Sequence, residues 1–198
     1  DQGINDCQIS INLSTVQLLQ SDIVNKVFDA LEEFKVPPRL LEIEVTETTL
    51  IENLKLASES LKRLSVRGIR ISIDDFGTGY SSLAYLKSFP INNLKIDRAF
   101  IKDINRDKND EQIVKTIIAM AHSLEISVVA EGVEEQEQLQ MLQGYGCDEI
   151  QGYLLSKPVP ALALLDIIKN PQDHLDNTVN TYPLKSVRSC FTDEPEIS

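Results

Sequence analysis

The residue pattern predicts an α/β fold built on a parallel sheet, and three observations carry the prediction. From residue 9 to residue 168, short segments rich in Ile, Val and Leu alternate with amphipathic segments of helical period. Six such βα units follow one another, which implies a parallel sheet, open or closed. Two more units would complete a (β/α)₈ barrel. Finally, nearly every strand segment ends in a polar or charged residue of an unexpected kind.

The strand segments are Gln8–Leu13, Leu41–Val45, Arg70–Ile73, Asn93–Ile96, Ser127–Ala130 and Glu149–Ile150. Their apolar content suits strands buried on both faces. Helical patterns fill the gaps at about Val16–Phe34, Ile51–Val66, Ser81–Lys87, Asp107–Leu124, Glu134–Tyr145 and Pro160–Ile168. Ser14 with Gln17 fits a capping box at the first helix start. Gly68 and Gly146 stand just past helices, where a left-handed residue costs little. Pro37 and Pro38 close a helical pattern. From Asn170 the periodicity stops, and Asn170–Ser198 is polar with three of the eight prolines. The chain therefore divides into a domain over residues 1–169 and a polar C-terminal tail over residues 170–198.

Composition narrows the function. The formal net charge of −12 opposes binding of long polyanions, so no nucleic-acid polymer is expected as partner. A small anionic ligand remains compatible if a cation neutralises the site. No apolar run approaches the ~20 residues that span a bilayer, so no membrane contact is expected from this segment. Cys7, Cys147 and Cys190 form no CxxC pair and no framework, and read as packing residues or incidental thiols in a reducing cytoplasm. The expected location is cytoplasmic, alone or as the cytoplasmic part of a larger membrane-anchored protein.

In a βα barrel the C-terminal strand ends meet at one mouth, where active sites sit. The strand ends here carry Asn12, then Glu44 with Glu47, then Asp74 with Asp75, then Lys95 with Asp97, then Glu131, then Gln151. One such residue alone would be a cap, a turn residue or a surface lysine. Their recurrence at successive strand ends points to a site. Crowded carboxylates raise one another's pKa unless a cation intervenes. The oxygens on offer at Asn12, Glu44, Asp74, Asp75 and Glu131 favour Mg²⁺ or Mn²⁺ over Zn²⁺. His122 falls in a helical pattern and His174 in the tail, so nucleophile–histidine schemes lose their base. Metal-assisted hydrolysis remains, with Asp74 and Asp75 able to bridge two ions. Directly after them, Gly77, Thr78, Gly79, Tyr80 and Ser81 form a loop whose amides can meet a phosphate. It lacks the Walker lysine and the three-glycine dinucleotide fingerprint.

These residues resemble the EAL-domain phosphodiesterases of bacterial cyclic di-GMP signalling. The matching stretches are Ile11-Asn12-Leu13-Ser14, Glu44-Val45-Thr46-Glu47, Asp74 through Leu83, Leu94-Lys95-Ile96-Asp97, Val129 through Glu134, and Gln151-Gly152-Tyr153 with Pro158. They occur in the family's order across about Ile9–Pro160.

The resemblance implies a TIM-like (β/α) barrel, here incomplete with about six of eight βα units, and two Mg²⁺ or Mn²⁺ ions. Positions matching Asn12, Glu44 and Asp74 would hold one ion, and Asp74 with Asp75 the second. Glu131 would act as general base and touch the second ion. Lys95 would orient water or stabilise charge on the phosphate, and Gln151 would position water or substrate. Glu47 would anchor the Phe76–Leu83 loop. The substrate would be cyclic di-GMP, the product pGpG, and Ca²⁺ an inhibitor. A homodimer and upstream signalling domains are further implications. The Glu-Ala-Leu segment that names the family, with its metal-binding glutamate, does not occur in this sequence, which opens at what matches the family's third strand. That leaves two other functions open beside hydrolysis: a degenerate domain that senses cyclic di-GMP, and a protein-interaction scaffold.

Overall fold

A computed structural model describes residues 7–47, 54–78 and 86–169. Strands β1 (Ile9–Asn12), β2 (Leu41–Thr46), β3 (Arg70–Phe76), β4 (Asn93–Ile96), β5 (Ser127–Glu131) and β6 (Glu149–Gln151) form one sheet in sequence order. Every neighbouring pair is parallel. Parallel neighbours need crossovers, and among the described residues helices supply those after β1, β2, β4 and β5. These are α1 (Thr15–Leu18), α2 (Ile23–Glu33), α3 (Leu54–Val66), α4 (Arg98–Lys102), α5 (Lys108–Ser123) and α6 (Gln136–Tyr145), with α7 (Ala161–Lys169) after the last strand. The result is part of a (β/α) barrel. No described helix is long and apolar enough to cross a membrane.

Side chains alternate across the sheet, and the two faces differ in kind. Ile43, Val45, Ile71, Ile73, Leu94, Ile96, Val128, Ala130 and Ile150 join Leu61, Leu64, Ile118, Leu139 and Leu142 of the helices in one apolar cluster. The intervening positions Glu42, Glu44, Ser72, Asn93 and Lys95 are equally buried. Burial on both faces, expected from sequence, therefore holds for β2 and β4, but the second face is polar. For β1 the expectation fails, because it is exposed along its whole length. It has one strand neighbour among the described residues.

The expected helix over Val16–Phe34 is two helices. The capping box forms, with Gln17 N donating to Ser14 Oγ at 3.3 Å and Ser14 N to Gln17 Oε1 at 3.0 Å. Three-residue closures then tighten the chain, from Gln20 N to Gln17 O and from Ile23 N to Gln20 O. Ser21 and Asp22 favour such turns over helix interiors, and the break lets Leu18, Ile23 and Val24 all reach the core. Helix α4 was not foreseen, since five residues show no periodicity. It starts where Asp97 accepts a hydrogen bond from Ala99 N at 2.6 Å, and it is pinned by buried Ile101. Gly68 and Gly146 take the left-handed backbone expected of them. The Ser81–Lys87 helix falls mostly outside the described residues, as does the start of Ile51–Val66. Several strands run further than expected, to Thr46, Phe76, Glu131 and Gln151. The polar residues at these ends thus sit in or beside the ladder rather than on free loops.

The last strand end is fixed by a close backbone approach. Val133 N donates to Gln151 O at 3.1 Å and Leu154 N to Val133 O at 3.0 Å. A Cβ on Gly152 would overlap the backbone nitrogen and carbonyl oxygen of Val133. Gly152→Ala should therefore destabilise the protein by about 1–3 kcal/mol through overpacking. Urea denaturation checks this, and an unchanged midpoint would contradict the close approach.

Candidate active site

Lys95 stands at the centre of the strand ends. It is nearly fully buried. Its Nζ lies 2.9 Å from Glu44 Oε2 of β2, 2.9 Å from Asp74 Oδ1 of β3 and 2.8 Å from Glu131 Oε1 of β5. A buried ammonium without partners costs several kcal/mol. Burial acts to depress its pKa, but the charges of Glu131, Glu44 and Asp74 outweigh this and hold Lys95 above the usual lysine range. One cation faces three carboxylates, so the cluster stays acidic.

Asp75 adds a fourth carboxylate through an irregular backbone. Successive strand residues normally point to opposite faces. The β3–β4 register shifts between Ile73 and Phe76, and Asp75 takes a left-handed conformation with φ 54°. Such a residue is strained by about 1–3 kcal/mol. The bulge aims its carboxylate back toward that of Asp74. Oxygens of Asp74, Asp75 and Glu131 lie within 4.8 Å of one another. Thr78 Oγ1 donates to Asp75 O at 2.9 Å, and buried Phe76 anchors the far side. Burial raises the Asp75 pKa, and the Asp74 charge and a hydrogen bond with Asp97 raise it further, against the pull of Lys95.

This donor set fits a hard divalent cation. Asp74 Oδ1 is buried, with the Lys95 ammonium 2.9 Å away as its ion-pair partner. Carboxylate oxygens gathered in this way match the all-oxygen shell of Mg²⁺ or Mn²⁺. Asn12 is exposed at the end of β1, in register with Glu44. Gln151 is half-buried and in register with Glu131. Glu47 is buried, and its Oε2 accepts from Gly77 N at 3.1 Å, which ties the end of β2 to the loop after β3. Gly77 and Thr78 are exposed. Gly79, Tyr80 and Ser81 lie outside the described residues.

Asp97 has a part in the site that its place in the sequence did not reveal. Its side chain caps α4 and also reaches Asp75. A cap could have been read from an aspartate before a helix, had the helix been visible. His122 stands apart, 2.8 Å from Asp148. Cys147 is buried, as a packing thiol should be.

Fold and site together define a class: part of a parallel (β/α) barrel with an acidic, lysine-bridged mouth. Comparison narrows the class to a family. The chain belongs to the EAL domain family, whose profile matches residues 1–158. It is 49% identical over 160 residues to the signaling protein YkoW of Bacillus subtilis, covering 81% of this chain and 20% of that protein. It is 44% identical over 165 residues to MucR of Pseudomonas aeruginosa, a bifunctional diguanylate cyclase/cyclic di-GMP phosphodiesterase, covering 83% of this chain and 24% of that protein. The solved MucR phosphodiesterase in complex with cyclic di-GMP superposes with a TM-score of 0.79 at 44% identity, over 82% of this chain and 66% of that one. A manganese/cyclic di-GMP complex of BlrP1 from Klebsiella pneumoniae gives 0.73 at 36% identity, over 79% of this chain and 40% of that one. The chain thus spans a fifth to a quarter of the length of these two curated relatives.

The site makes stability depend on pH. Burial pushes the Glu131 carboxyl up to about 7; Lys95 pulls it down, and Asp74 and Glu44 add to the rise. A carboxyl raised in the folded state binds its proton more tightly there than in the unfolded chain. Its contribution to stability is complete below the unfolded value and lost as pH rises through about 7. In chelator, the protein should therefore be less stable at about pH 8 than at about pH 5 by roughly 3 kcal/mol from this group. Glu131→Gln should remove most of that difference in paired denaturation curves. An undiminished difference would place the titration elsewhere.

Proposed function

We propose that this chain forms most of the catalytic mouth of a metal-dependent phosphodiesterase that hydrolyses cyclic di-GMP to linear pGpG. The observation that carries the proposal is the buried Lys95 held among Glu44, Asp74 and Glu131 beside Asp75. It stands in a chain 44% identical to a protein named for this activity. Asn12, Glu44, Asp74, Asp75 and Glu131 are the residues that would hold one or two Mg²⁺ or Mn²⁺ ions. When bound, such ions lower the pKa of water and polarise phosphoryl oxygens.

The protein's own groups do the rest. Glu131 can take the proton of the attacking water at its carboxylate, which Lys95 holds at 2.8 Å. Lys95, itself nearly fully buried, would place a fixed positive charge where negative charge develops on the phosphate. Gln151 sits in register with Glu131 and can orient water or substrate by its amide. The Glu47–Gly77 bond ties Gly77 and Thr78, just after β3, to the end of β2; Gly77, Thr78, Gly79, Tyr80 and Ser81 are the residues that would meet the phosphate. This is how loop order would follow occupancy of the site. Since the curated relatives are several times longer, the activity is expected to sit beside signalling domains in the cytoplasm.

The test is incubation of the natural full-length protein with cyclic di-GMP and Mn²⁺, with chromatography for pGpG. Asp74→Asn should lower turnover by about 100-fold or more, the scale of losing one preorganised charged group. Near-normal turnover would sink the site assignment. Binding of cyclic di-GMP without pGpG would instead assign a sensing role. A separate variant, Glu47→Ala, should shift the Mg²⁺ titration of activity to higher concentration, by about tenfold if the loop bond supports the metal site. A superimposable titration would remove Glu47 from that role.

A further inference from the structure

Gln138 stands one turn into α6 and is buried to 2% exposure. Its Oε1 accepts from Glu134 N at 2.8 Å and from Glu135 N at 3.0 Å. Its Nε2 donates to Ile101 O at 3.2 Å and to Lys102 O at 3.1 Å. The first pair belongs to the capping box at the start of α6. The second pair is not needed for capping. It adds a side-chain donor to the last carbonyls of another helix, α4, where Ile101 O also accepts from Ile104 N at 3.3 Å. One side-chain amide thus closes the start of α6 and the end of α4 together.

The two helices are the ones that follow the strands of Lys95 and Glu131. Only Asp97 separates β4 from α4, and four residues separate β5 from α6. The β4–β5 ladder, with Lys95 opposite Val129 and Ile96 opposite Ala130, sets the register of the strands, and these turns lie directly beyond it, next to where Lys95 Nζ and Glu131 Oε1 meet at 2.8 Å. Other bonds cross the same gap. Arg98 pairs with Glu134, Arg106 with Glu135, and Asn105 donates to Glu135 and Glu137. These are exposed, and such ion pairs contribute about 0–1 kcal/mol each. Losing the Gln138 amide would instead remove a buried crossing bond, the donation to Ile101 O, a carbonyl that also accepts from Ile104 N at 3.3 Å; such a bond contributes about 0.5–1.5 kcal/mol. The amide is thus a buried link beside exposed ones.

We infer that Gln138 is a positioning residue for the candidate active site, a brace that holds the turn after β4 against the turn after β5 and so keeps Glu131 and Lys95 in register for metal binding. The inference rests on the reading of the site given above. It differs from simple helix capping in one respect: the donor half of the amide matters as much as the acceptor half.

Gln138→Glu separates the two roles. While ionised, the carboxylate still accepts from Glu134 N and Glu135 N but cannot donate to Ile101 O and Lys102 O; measuring Mn²⁺ binding at about pH 8 favours the ionised form. It also adds negative charge on the acidic side of the protein, which by itself would favour cation binding. The experiment is titration of the full-length protein with Mn²⁺, followed by electron paramagnetic resonance of the free ion, with thermal unfolding of each variant alongside. Leu142→Ala, a buried position further along the same helix, serves as the control for destabilisation alone. Gln138→Glu should weaken Mn²⁺ binding by about tenfold, the usual scale for a residue that supports metal ligands. Leu142→Ala should lose thermal stability with unchanged Mn²⁺ affinity. If Gln138→Glu fails to fold, Gln138→Met, which removes both halves of the amide while filling the site, should show the same loss of affinity. Equal Mn²⁺ affinity in the unmodified protein and the folded Gln138 variant would overturn the brace. Absence of Mn²⁺ binding by the unmodified protein would overturn the metal reading of the site itself, and the brace with it.

Discussion

The ammonium of Lys95 is the constraint on which the rest of this structure depends. It lies inside the barrel wall, where a lone charge could not be tolerated. Glu44, Asp74 and Glu131 make it tolerable, and each comes from a different strand. For three carboxylates to reach one nitrogen, β2, β3, β4 and β5 must hold a fixed register. The helices follow from that requirement, because parallel neighbours can be joined only by crossovers. The apolar cluster follows as well. Since the inner face is given to charge, hydrophobic stabilisation must come from the helix side, where Ile71, Leu94, Val128 and Leu139 are completely buried.

Below this layer lies a second polar layer with a different balance. Glu42 is fully buried and accepts from Gln8 Nε2 and Ser10 Oγ at 3.2 Å each, and from Asn93 Nδ2. Arg70 Nε stands 3.5 Å from the same carboxylate, and its Nη2 donates to Asn93 at 3.0 Å. Here one acid meets one guanidinium, and three neutral partners, Gln8, Ser10 and Asn93, add hydrogen bonds. The charges of that layer balance without a further ion. The layer above has the same strands and the same polarity but a surplus of carboxylates and a strained Asp75. That contrast, within two residues along each strand, separates a site from a structural network.

Much of this was legible in the sequence, and the physical reason is periodicity. Parallel strands next to amphipathic helices leave a repeating signal, so the six βα units and their order could be read directly. Residues that break the signal, such as Glu44 in an apolar strand or Lys95 between Leu94 and Ile96, mark where burial is tolerated for another purpose. Three things escaped. The division of Val16–Phe34 depends on i to i+3 closures at Gln20 and Ile23, which share their apolar spacing with a continuous helix. Helix α4 is too short to show a period. The reach of Asp97 to Asp75, and of Gln138 to Ile101 and Lys102, joins residues from separate βα units, and no local pattern encodes such a distance.

The proton and the cation at this mouth are one equilibrium rather than two. Without another cation, the cluster lowers its charge by holding a proton, and burial pushes the Glu131 carboxyl up to about 7, where it can hold one. Lys95 cannot supply the missing charge, because its own proton is already bound more tightly than usual. A divalent ion among Asp74, Asp75 and Glu131 would remove the reason for that proton, since metal ligands bind in their deprotonated form. Occupancy would then release a proton from the same carboxylate that can later accept one from water. The strain at Asp75 fits the same scheme. Its aim toward Asp74 is unfavourable while the two charges face each other alone, and becomes favourable only when positive charge stands between them.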